Sequence, residues 1–530
     1  MRVLRSFLTL VAAVLCAASC AAQQPQHLFF RVTLAQQFTA PASGRLLIFL
    51  TAGSGARKID DDPFHPKAVY IAAKEVPYLA PGASVDVDTD DIAYPEGFSS
   101  LKPGDYQAQA VLDVGHTYAY GGRAPGDPIS EVVPLAAFNP GAGPEPVLVL
   151  NTTVPERPAT QLAPEFVAHS HLEDFASPAL TAFFARPVHI RGWVVLPPGY
   201  DERAAALYPT VYWTHGFGGN LDLAERSGAS IYQRMVRGLM PPMIWVMLDE
   251  SWVTGTHEFA DSANNGPWGK ALTTEFIPFL EKKYRMDGRP SGRFLQGHSS
   301  GGWATLQLQI NYPEIFGGTW STSPDPSDFH DFTGIDLYAP NANMYHRADG
   351  TPYPIVRDHG KVLSTTQEFA RDETVLGAYG GQFASFEWVF SPRGGDGRPL
   401  PMFNRVTGDV DAKVVAWWRD HYDLAHILAT TWAQRGPLIR GKIHVIVGTA
   451  DTFYLDGAAH KLDAVLQGLG ADSHFTYIPD RTHFDLYTTE VGGKEDRGGL
   501  LNAIAAEMYA VARPGNAWKP ATLPASGGPR

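Results

Sequence analysis

The first part of the chain alternates short hydrophobic runs with turn-forming residues and has no helical pattern. The runs that carry this pattern lie at residues 28–34, 45–50, 106–113 and 146–150. Residues 106–113 alternate apolar and polar side chains, which is typical of a strand with one buried face. Short strands separated by Pro and Gly turns predict a small all-β sandwich domain over residues 26–155, followed by a linker at 154–158.

From about residue 165 short apolar runs alternate with stretches of helical period. The predicted strands are residues 189–196, 210–214, 244–248, 294–296, 318–321, 443–448 and 475–478. The predicted helices are residues 271–284, 303–311, 457–468 and 500–512. This alternation favours a mostly parallel sheet with both faces covered, so we predict one α/β domain over residues 165–512. Residues 513–530 are rich in Pro and Gly and are predicted to be a disordered tail.

One connection in the α/β domain is much longer than usual. Roughly 120 residues separate the strand at 318–321 from the strand at 443–448, so we predict an insertion at about 325–440. The insertion is rich in aromatic residues, namely Phe329, Phe332, Tyr338, Tyr345, Trp388, Trp417, Trp418 and Trp432. These residues form either a second small core or a cap whose aromatic side chains line a substrate pocket, and both interpretations stay open.

Composition and charge narrow the class of protein. With 530 residues the chain exceeds one typical domain, and 44% hydrophobic with 18% charged residues is an ordinary globular balance. The net charge of -13 argues against nonspecific nucleic-acid binding, because there is no basic surplus to neutralise phosphates.

The N-terminus has the pattern of a secretory signal peptide. Arg2 and Arg5 precede an apolar stretch at 7–15 and small residues at 17–22, so we predict a signal peptide over 1–22. No other stretch is long enough to span a membrane. The segment before Cys20 loosely resembles a bacterial lipobox, so Cys20 is either a lipidated first residue or is removed by cleavage near residues 21–22. We expect a secreted or periplasmic protein, with an outer-membrane lipoprotein as the alternative.

Residues 297–301 read Gly-His-Ser-Ser-Gly, a G-x-S-x-G motif centred on Ser299. A short buried-type strand precedes the motif and the first turns of a helix follow it. Strand, sharp turn and helix together form the setting that exposes a serine oxygen above a sheet as a nucleophile. We therefore predict that Ser299 is the nucleophile of a hydrolase.

A serine nucleophile needs a base and a third group that orients the base. In parallel-sheet hydrolases these follow in the order Ser, Asp or Glu, His. Asp451 follows the strand at 443–448, and His483 lies on a loop after the strand at 475–478. We predict Asp451 as the acid and His483 as the base, with Asp325 as the alternative acid because it also follows a strand.

The loop at 215–219, His-Gly-Phe-Gly-Gly, is the candidate oxyanion hole. Its glycines let backbone N–H groups approach a ligand closely. The backbone N–H of Phe217 or Gly218, paired with that of Ser300, is the predicted pair of donors.

Several further motifs make the chain resemble a known family. They lie at 197–201 (Pro-Pro-Gly-Tyr-Asp), 208–212, 215–216, 272–278, 281–284 and 297–302. Together they are similar to the putative esterase (esterase D-like) family, which includes feruloyl esterases, S-formylglutathione hydrolases and mycolyltransferases. The similarity covers roughly 165–325, and 440–510 more loosely. It implies an α/β-hydrolase fold with Ser299, Asp451 and His483 as triad members. The residues at 268–270 and the insertion depart from the family pattern, which puts the substrate in doubt.

The predicted function is that of a secreted serine esterase that acts through an acyl-enzyme on a small-molecule or polysaccharide-linked ester, without a cofactor. The alternatives are an acyltransferase of the same fold and a catalytically silent binding protein that uses the β-domain. Metal sites are not predicted, because 169–171 and 257–258 lack the remaining ligands of a zinc site. The aspartates at 86–91 are interpreted as a solvated strand edge rather than a calcium site.

Overall fold

The computed structural model of the protein describes residues 27–116, 122–140, 142–156, 158, 160–203, 205–491, 493–516 and 518–519. The predicted signal peptide with Cys20 and most of the predicted tail lie outside the described residues. The chain divides into two compact units. The first contains the chain up to Asp60, Val69–Val114 and Asp127–Thr153, and the second contains Asp61–Ala68, Gly115–Gly126 and the chain from Val154 onward.

The first unit is a nine-stranded sheet. Its strands are β1 (Phe29–Leu34), β2 (Ala42–Ala52), β3 (Tyr70–Leu79), β4 (Ser84–Asp88), β5 (Ile92–Tyr94), β6 (Gly104–Asp113), β7 (Pro128–Ser130), β8 (Val133–Phe138) and β9 (Val147–Thr153). A single hydrogen-bonded path runs β4-β1-β9-β7-β6-β2-β3-β5, and β8 joins β6 beside β7. Strand β6 bonds with β2 on one edge and with both β7 and β8 on the other. One cluster of buried side chains from β1, β2, β3, β4, β6 and β9 forms the core.

The second unit is built on an eight-stranded sheet. The strands of the unit are β10 (Ser170–Ala176), β11 (His189–Val195), β12 (Thr210–Thr214), β13 (Ile244–Leu248), β14 (Ser251–Trp252), β15 (Gly255–Thr256), β16 (Asp261–Ser262), β17 (Gly266–Pro267), β18 (Arg293–His298), β19 (Gly318–Thr322), β20 (Pro354–Asp358), β21 (Lys361–Thr365), β22 (Ile443–Gly448), β23 (Ser473–Ile478), β24 (Thr489–Val491) and β25 (Lys494–Asp496). The sheet order is β10-β11-β13-β12-β18-β19-β22-β23. The pairs β10–β11 and β11–β13 are antiparallel, and every pair from β13–β12 to β22–β23 is parallel.

Helices accompany this sheet. They are α1 (Pro164–Val167), α2 (Pro178–Phe184), α3 (Leu221–Val236), α4 (Trp268–Ala271), α5 (Ile277–Lys283), α6 (Ser300–Asn311), α7 (Thr366–Leu376), α8 (Gln382–Phe390), α9 (Ala412–Tyr422), α10 (Leu424–Ile439), α11 (Leu455–Gly468) and α12 (Gly499–Ala512). All five residues of β13 and of β19 are buried, as expected for strands covered on both faces. No helix in the described part of the chain has the length and apolar character needed to cross a bilayer.

The insertion forms the hairpin β20–β21 and helices α7 to α10. Its core is continuous with that of the sheet, since Phe329 and Trp418 are buried in the same cluster as Trp303 of α6 and Val445 of β22. Of the aromatic residues singled out in the sequence, Phe329, Phe332, Tyr345 and Trp418 are buried in this cluster. The insertion therefore extends the main core rather than enclosing a separate one.

Candidate active site

Ser299 occupies the sharp turn between β18 and α6. Its backbone has φ 62° and ψ -127°, a strained conformation for a residue with a side chain. The turn needs glycine at its flanks, because a Cβ on Gly301 would lie 2.3 Å from the carbonyl oxygen of His215. A Cβ on Gly297 would lie 2.2 Å from the carbonyl oxygen of Gly301. The spacing of the motif thus places Ser299 at the carboxyl end of a central parallel strand.

His483 and Asp451 form a buried pair. Asp451 follows β22 and His483 follows β23, so both lie at the same edge of the sheet as Ser299. Nδ1 of His483 is 2.9 Å from Oδ2 of Asp451, and their side chains are 4% and 0% exposed. The other carboxylate oxygen of Asp451 accepts backbone N–H bonds from Phe453 at 3.0 Å and Leu455 at 3.3 Å.

These contacts keep Asp451 ionised. Burial opposes ionisation of the carboxyl group, but the His483 imidazole and the Phe453 amide outweigh it, so the pKa of Asp451 is lowered. A carboxylate beside Nδ1 fixes the histidine with its proton on that nitrogen and leaves Nε2 free to accept another.

Asp325, the alternative acid, contacts the nucleophile turn. Its Oδ2 accepts a 2.6 Å hydrogen bond from the Ser300 hydroxyl, and its backbone N–H donates to the Ser299 carbonyl at 3.2 Å. Burial raises the pKa of Asp325 to about 6. Two further histidines near the last strands stack on other rings, His474 of β23 on His444 and His460 of α11 on Tyr477.

His298 was not recognised as a functional residue from the sequence, although it lies inside the motif. Its Nε2 is 3.0 Å from the backbone carbonyl oxygen of His483, and the two rings are 4.3 Å apart. Burial and the neighbouring His483 lower the pKa of His298 to about 3, so the ring is neutral. A neutral ring can donate from Nε2 to that carbonyl and so hold the His483 loop. Contacts between segments this far apart leave no signal in sequence spacing.

The glycine loop after β12 lies directly against Ser299. A Cβ on Gly216 would be 3.0 Å from the Cβ of Ser299, so a side chain at this position would crowd Ser299. His215 anchors the loop. Its Nδ1 is 2.9 Å from the Gly216 carbonyl oxygen, and its Nε2 is 3.3 Å from Oδ1 of Asp249. Burial disfavours ionisation of Asp249, but its bonds to His215 and Ser251 lower its pKa to about 2.

A cavity of about 530 Å³ opens at this edge of the sheet. It is lined by Ser299, His483, Asp325 and the loop 216–219, which includes the predicted oxyanion donors Phe217 and Gly218. The insertion also contributes aromatic side chains to the wall, but these are Phe369, Phe383 and Phe386 rather than the residues singled out in the sequence.

Side chains of the kind that can bind a metal ion are grouped at one place in the described residues. His27, Asp88 and Asp90 of the first unit have ligand atoms within 4.8 Å of one another. Each is already used structurally, since His27 pairs with Asp88 and Asp90 accepts N–H bonds from Leu28 and Ser99. The His257 ring of the second unit stacks on Trp268 at 3.6 Å, and its Nδ1 accepts from the Phe259 amide.

A family model described as "Putative esterase" matches residues 186–475, which is more than half of the chain. The chain belongs to this esterase family. The esterase is therefore a hydrolase of carboxylic esters, and the matched region contains Ser299 and Asp451. No curated protein is detectably similar to it in sequence.

The solved structures that are similar to this chain include the following three. A ferulic acid esterase is 14% identical, with 65% of this chain and 97% of that chain covered and a TM-score of 0.39. A fluorophosphonate-binding serine hydrolase from Staphylococcus aureus is 12% identical, with 65% and 98% covered and a TM-score of 0.37. A ferulic acid esterase from the anaerobic fungus Anaeromyces mucronatus is 14% identical, with 64% and 91% covered and a TM-score of 0.34. The assignment of the esterase rests on the family match.

Proposed function

We propose that the protein is a serine esterase in which Ser299, His483 and Asp451 act as a catalytic triad. The observation that carries the proposal is the buried hydrogen bond between His483 and Asp451 beside the cavity that Ser299 lines. Ser299 Oγ attacks the ester carbonyl carbon while His483 Nε2 takes the hydroxyl proton. The resulting imidazolium is stabilised by Asp451, whose lowered pKa keeps it ionised.

The intermediate then resolves in two steps. The tetrahedral oxyanion collapses, the C–O bond to the alcohol breaks, and His483 returns its proton to the leaving oxygen. An acyl group remains on Ser299. Water attacks the acyl carbon, and His483 takes a proton from that water molecule. A second collapse of the tetrahedral intermediate releases the acid and restores the serine hydroxyl. The reaction consumes one ester and one water and uses no cofactor.

The oxyanion donors of the proposal are the backbone N–H groups of Phe217 or Gly218 and of Ser300. The contact between Gly216 and Ser299 supports this, because it brings the loop next to the attacked carbon. Ser300 begins α6, where N–H groups have no partner within the helix.

Export is a further part of the proposed function. The charged, apolar and small-residue regions of residues 1–22 support a cleaved signal peptide. N-terminal sequencing of the mature protein tests this prediction. We expect cleavage near residue 22, and a mature chain that still begins at residue 1 would contradict it. A first residue at Cys20 supports the lipoprotein alternative.

Hydrolysis of 4-nitrophenyl acetate tests the triad. Ser299→Ala is expected to lower kcat by about 10⁴-fold or more, since the nucleophile is lost. The exposed Ser291 offers a matched control, and Ser291→Ala should keep the unmodified rate. A Ser299→Ala protein that retains the rate contradicts the proposal.

The same assay separates the two candidate acids. Asp451→Asn should cost about 10³- to 10⁴-fold in kcat, because the amide no longer fixes the His483 tautomer. Asp325→Asn should cost about tenfold, since it weakens the hydrogen bond with Ser300 but leaves the bond between His483 and Asp451 in place. The larger loss in Asp325→Asn would assign the acid to Asp325 instead.

A further inference from the structure

One part of the cavity wall comes from outside the region that matches the family. Phe64 lines the same cavity as Ser299 and His483, although it lies more than one hundred residues before residue 186 in the sequence. Its segment, Asp61–Ala68, lies in the connection between β2 and β3 of the first unit but itself belongs to the second unit. This segment therefore contributes to the cavity from outside the region that the family model matches.

Phe64 belongs to a cluster of three phenyl rings, which we call the aromatic rim: Phe64, Phe453 and Phe484. Two of the three, Phe453 and Phe484, contact the His483 ring. The ring of Phe64 is 5.8 Å from that of Phe484 and 6.0 Å from that of Phe453. Phe453 packs edge-on against the His483 ring at 4.9 Å. Phe484 is 67% exposed and Phe64 is half-buried, so the rim keeps apolar surface open toward the cavity and solvent.

The segment that carries Phe64 is held in place locally. Oδ1 of Asp62 accepts the Phe64 backbone N–H at 2.9 Å, and the Asp62 carbonyl accepts the His65 N–H at 2.8 Å. These bonds form a tight turn that fixes the backbone of Phe64.

The segment is also attached at both ends to α7. Lys67 forms an ion pair with Glu368. Asp61 lies against Asp372, which is one helical turn beyond Glu368. The same helix contributes Phe369 to the cavity wall. The position of Phe64 at the cavity is thus fixed by two attachments to α7, one before and one after it in the segment.

The chemistry of the wall defines what this position can bind. Apart from Ser299 and His483, few polar side chains line the cavity, with Asp325, Thr333 and Gln382 among them, whereas phenyl rings make up much of the surface. Aromatic rings bind flat apolar groups by offset and edge-to-face packing. A short acyl or alcohol group would leave the rim without a partner.

We propose that Phe64 is a specificity-determining residue that, with Phe453 and Phe484, binds an aromatic or similarly large apolar group of the ester beside His483. The substrate class is then carboxylic esters with such a group on the acyl or the alcohol side. This inference rests on the proposed function, because it assumes that the bond is cleaved at Ser299.

The test compares three esters in a pH-stat: ethyl acetate, ethyl 3-phenylpropanoate and 3-phenylpropyl acetate. In the unmodified full-length enzyme we expect kcat/KM to be at least tenfold higher for one phenyl ester than for ethyl acetate. Phe64→Ala should reduce this ratio at least fivefold, mainly through KM, and Phe64→Tyr should retain it. The phenyl ester whose kcat/KM falls most in Phe64→Ala shows whether the rim binds the acyl side or the alcohol side of the ester.

Controls keep the outcomes distinct. Tyr78→Ala, at an exposed tyrosine of β3, should leave the ratio unchanged. If Phe64→Ala is poorly folded, Phe64→Leu provides the same comparison with a side chain of similar size. An unchanged ratio in a folded Phe64 variant overturns the inference while leaving the triad intact. Absence of hydrolysis of all three esters by the unmodified enzyme, with no fluorophosphonate labelling, overturns the proposed function itself.

Discussion

Hydrogen-bond and charge partners, rather than burial alone, determine the charge of the buried carboxyl groups Asp451 and Glu250. Asp451 is fully buried yet has a lowered pKa, because His483 and backbone amides solvate it. Glu250 is buried to the same degree, and its pKa is raised to about 8 because the surrounding groups do not compensate for the lost water. Two carboxyl groups near one site thus differ in charge at neutral pH because they differ in hydrogen-bond partners.

Glu250 makes the stability of the protein depend on pH. An unfolded glutamate titrates near 4.5 and the folded one near 8, so between these values the folded state holds an extra proton. The free energy of unfolding therefore falls as pH rises through this window, by about 1.4 kcal/mol per pH unit at most for one group. Glu250→Gln removes that contribution. Relative to the unmodified protein, the variant should become more stable between pH 5 and pH 8.

Urea unfolding at several pH values measures this difference. The exposed Glu156 provides the control, and Glu156→Gln should follow the unmodified protein at every pH. Parallel pH dependence of Glu250→Gln and the unmodified protein would show that Glu250 is ionised in the folded state.

For single residues, the sequence predicts Ser299, Asp451 and His483 as the site because each follows a strand in a known chain order. The structure brings Nδ1 of His483 within 2.9 Å of Asp451. The supporting residues His298 and Asp249 were missed. Their contacts join His298 to the His483 loop and Asp249 to His215, and neither motif nor spacing encodes such contacts.

At the scale of elements, the hairpin of the insertion supports the acid loop. The backbone N–H of Arg357 in β20 donates to the Thr452 carbonyl at 2.9 Å. Its Nε donates to the Asp451 carbonyl at 2.8 Å, and its Nη2 pairs with Asp456 at 2.8 Å. The guanidinium also lies 4.2 Å from the Tyr454 ring centre. We therefore expect Arg357 to act as a positioning residue for Asp451.

Arg357→Ala should lower kcat about tenfold while KM changes less than threefold. The reason is that the Asp451 loop loses a fixed attachment, and small misplacements of catalytic groups are costly to rate. Arg347→Ala is the matched control, because Arg347 lies in the same insertion but contacts Tyr353 and Pro352 instead. Steady-state kinetics on one ester decide the matter. Equal losses in both variants, or a change in KM alone, would contradict the role of Arg357.

The hydrophobic periodicity of the sequence predicts the position of one helix but not its irregular hydrogen bonding. The predicted helix at 271–284 is observed as α4, a π-helical stretch at Leu272–Phe276 and α5. Pro278, at the start of α5, has no N–H for a bond to the preceding turn, which accounts for the irregular hydrogen bonding just before it. The insertion elements were not predicted, because their side chains are buried by contacts with the distant α6 and β22.

At the scale of the whole molecule, the sequence could separate an all-β part from an α/β part, because the hydrophobic period changes near residue 165. It could not predict that Asp61–Ala68 belongs to the second unit. That segment is apart in sequence from every element it contacts, and its ion pair with Glu368 spans three hundred residues. It also could not predict the single ladder of the first unit, since strand pairing order is not encoded in the period of a strand.

If the proposed function is right, one serine of the folded esterase is activated, and that serine is Ser299. Fluorophosphonate labelling of the purified protein, followed by peptide mass spectrometry, distinguishes Ser299 from every other serine. We expect one adduct, on the peptide that contains residues 297–301, with no labelling after Ser299→Ala and greatly slowed labelling after His483→Ala. An adduct on another serine, or no adduct on protein that is folded, would contradict it.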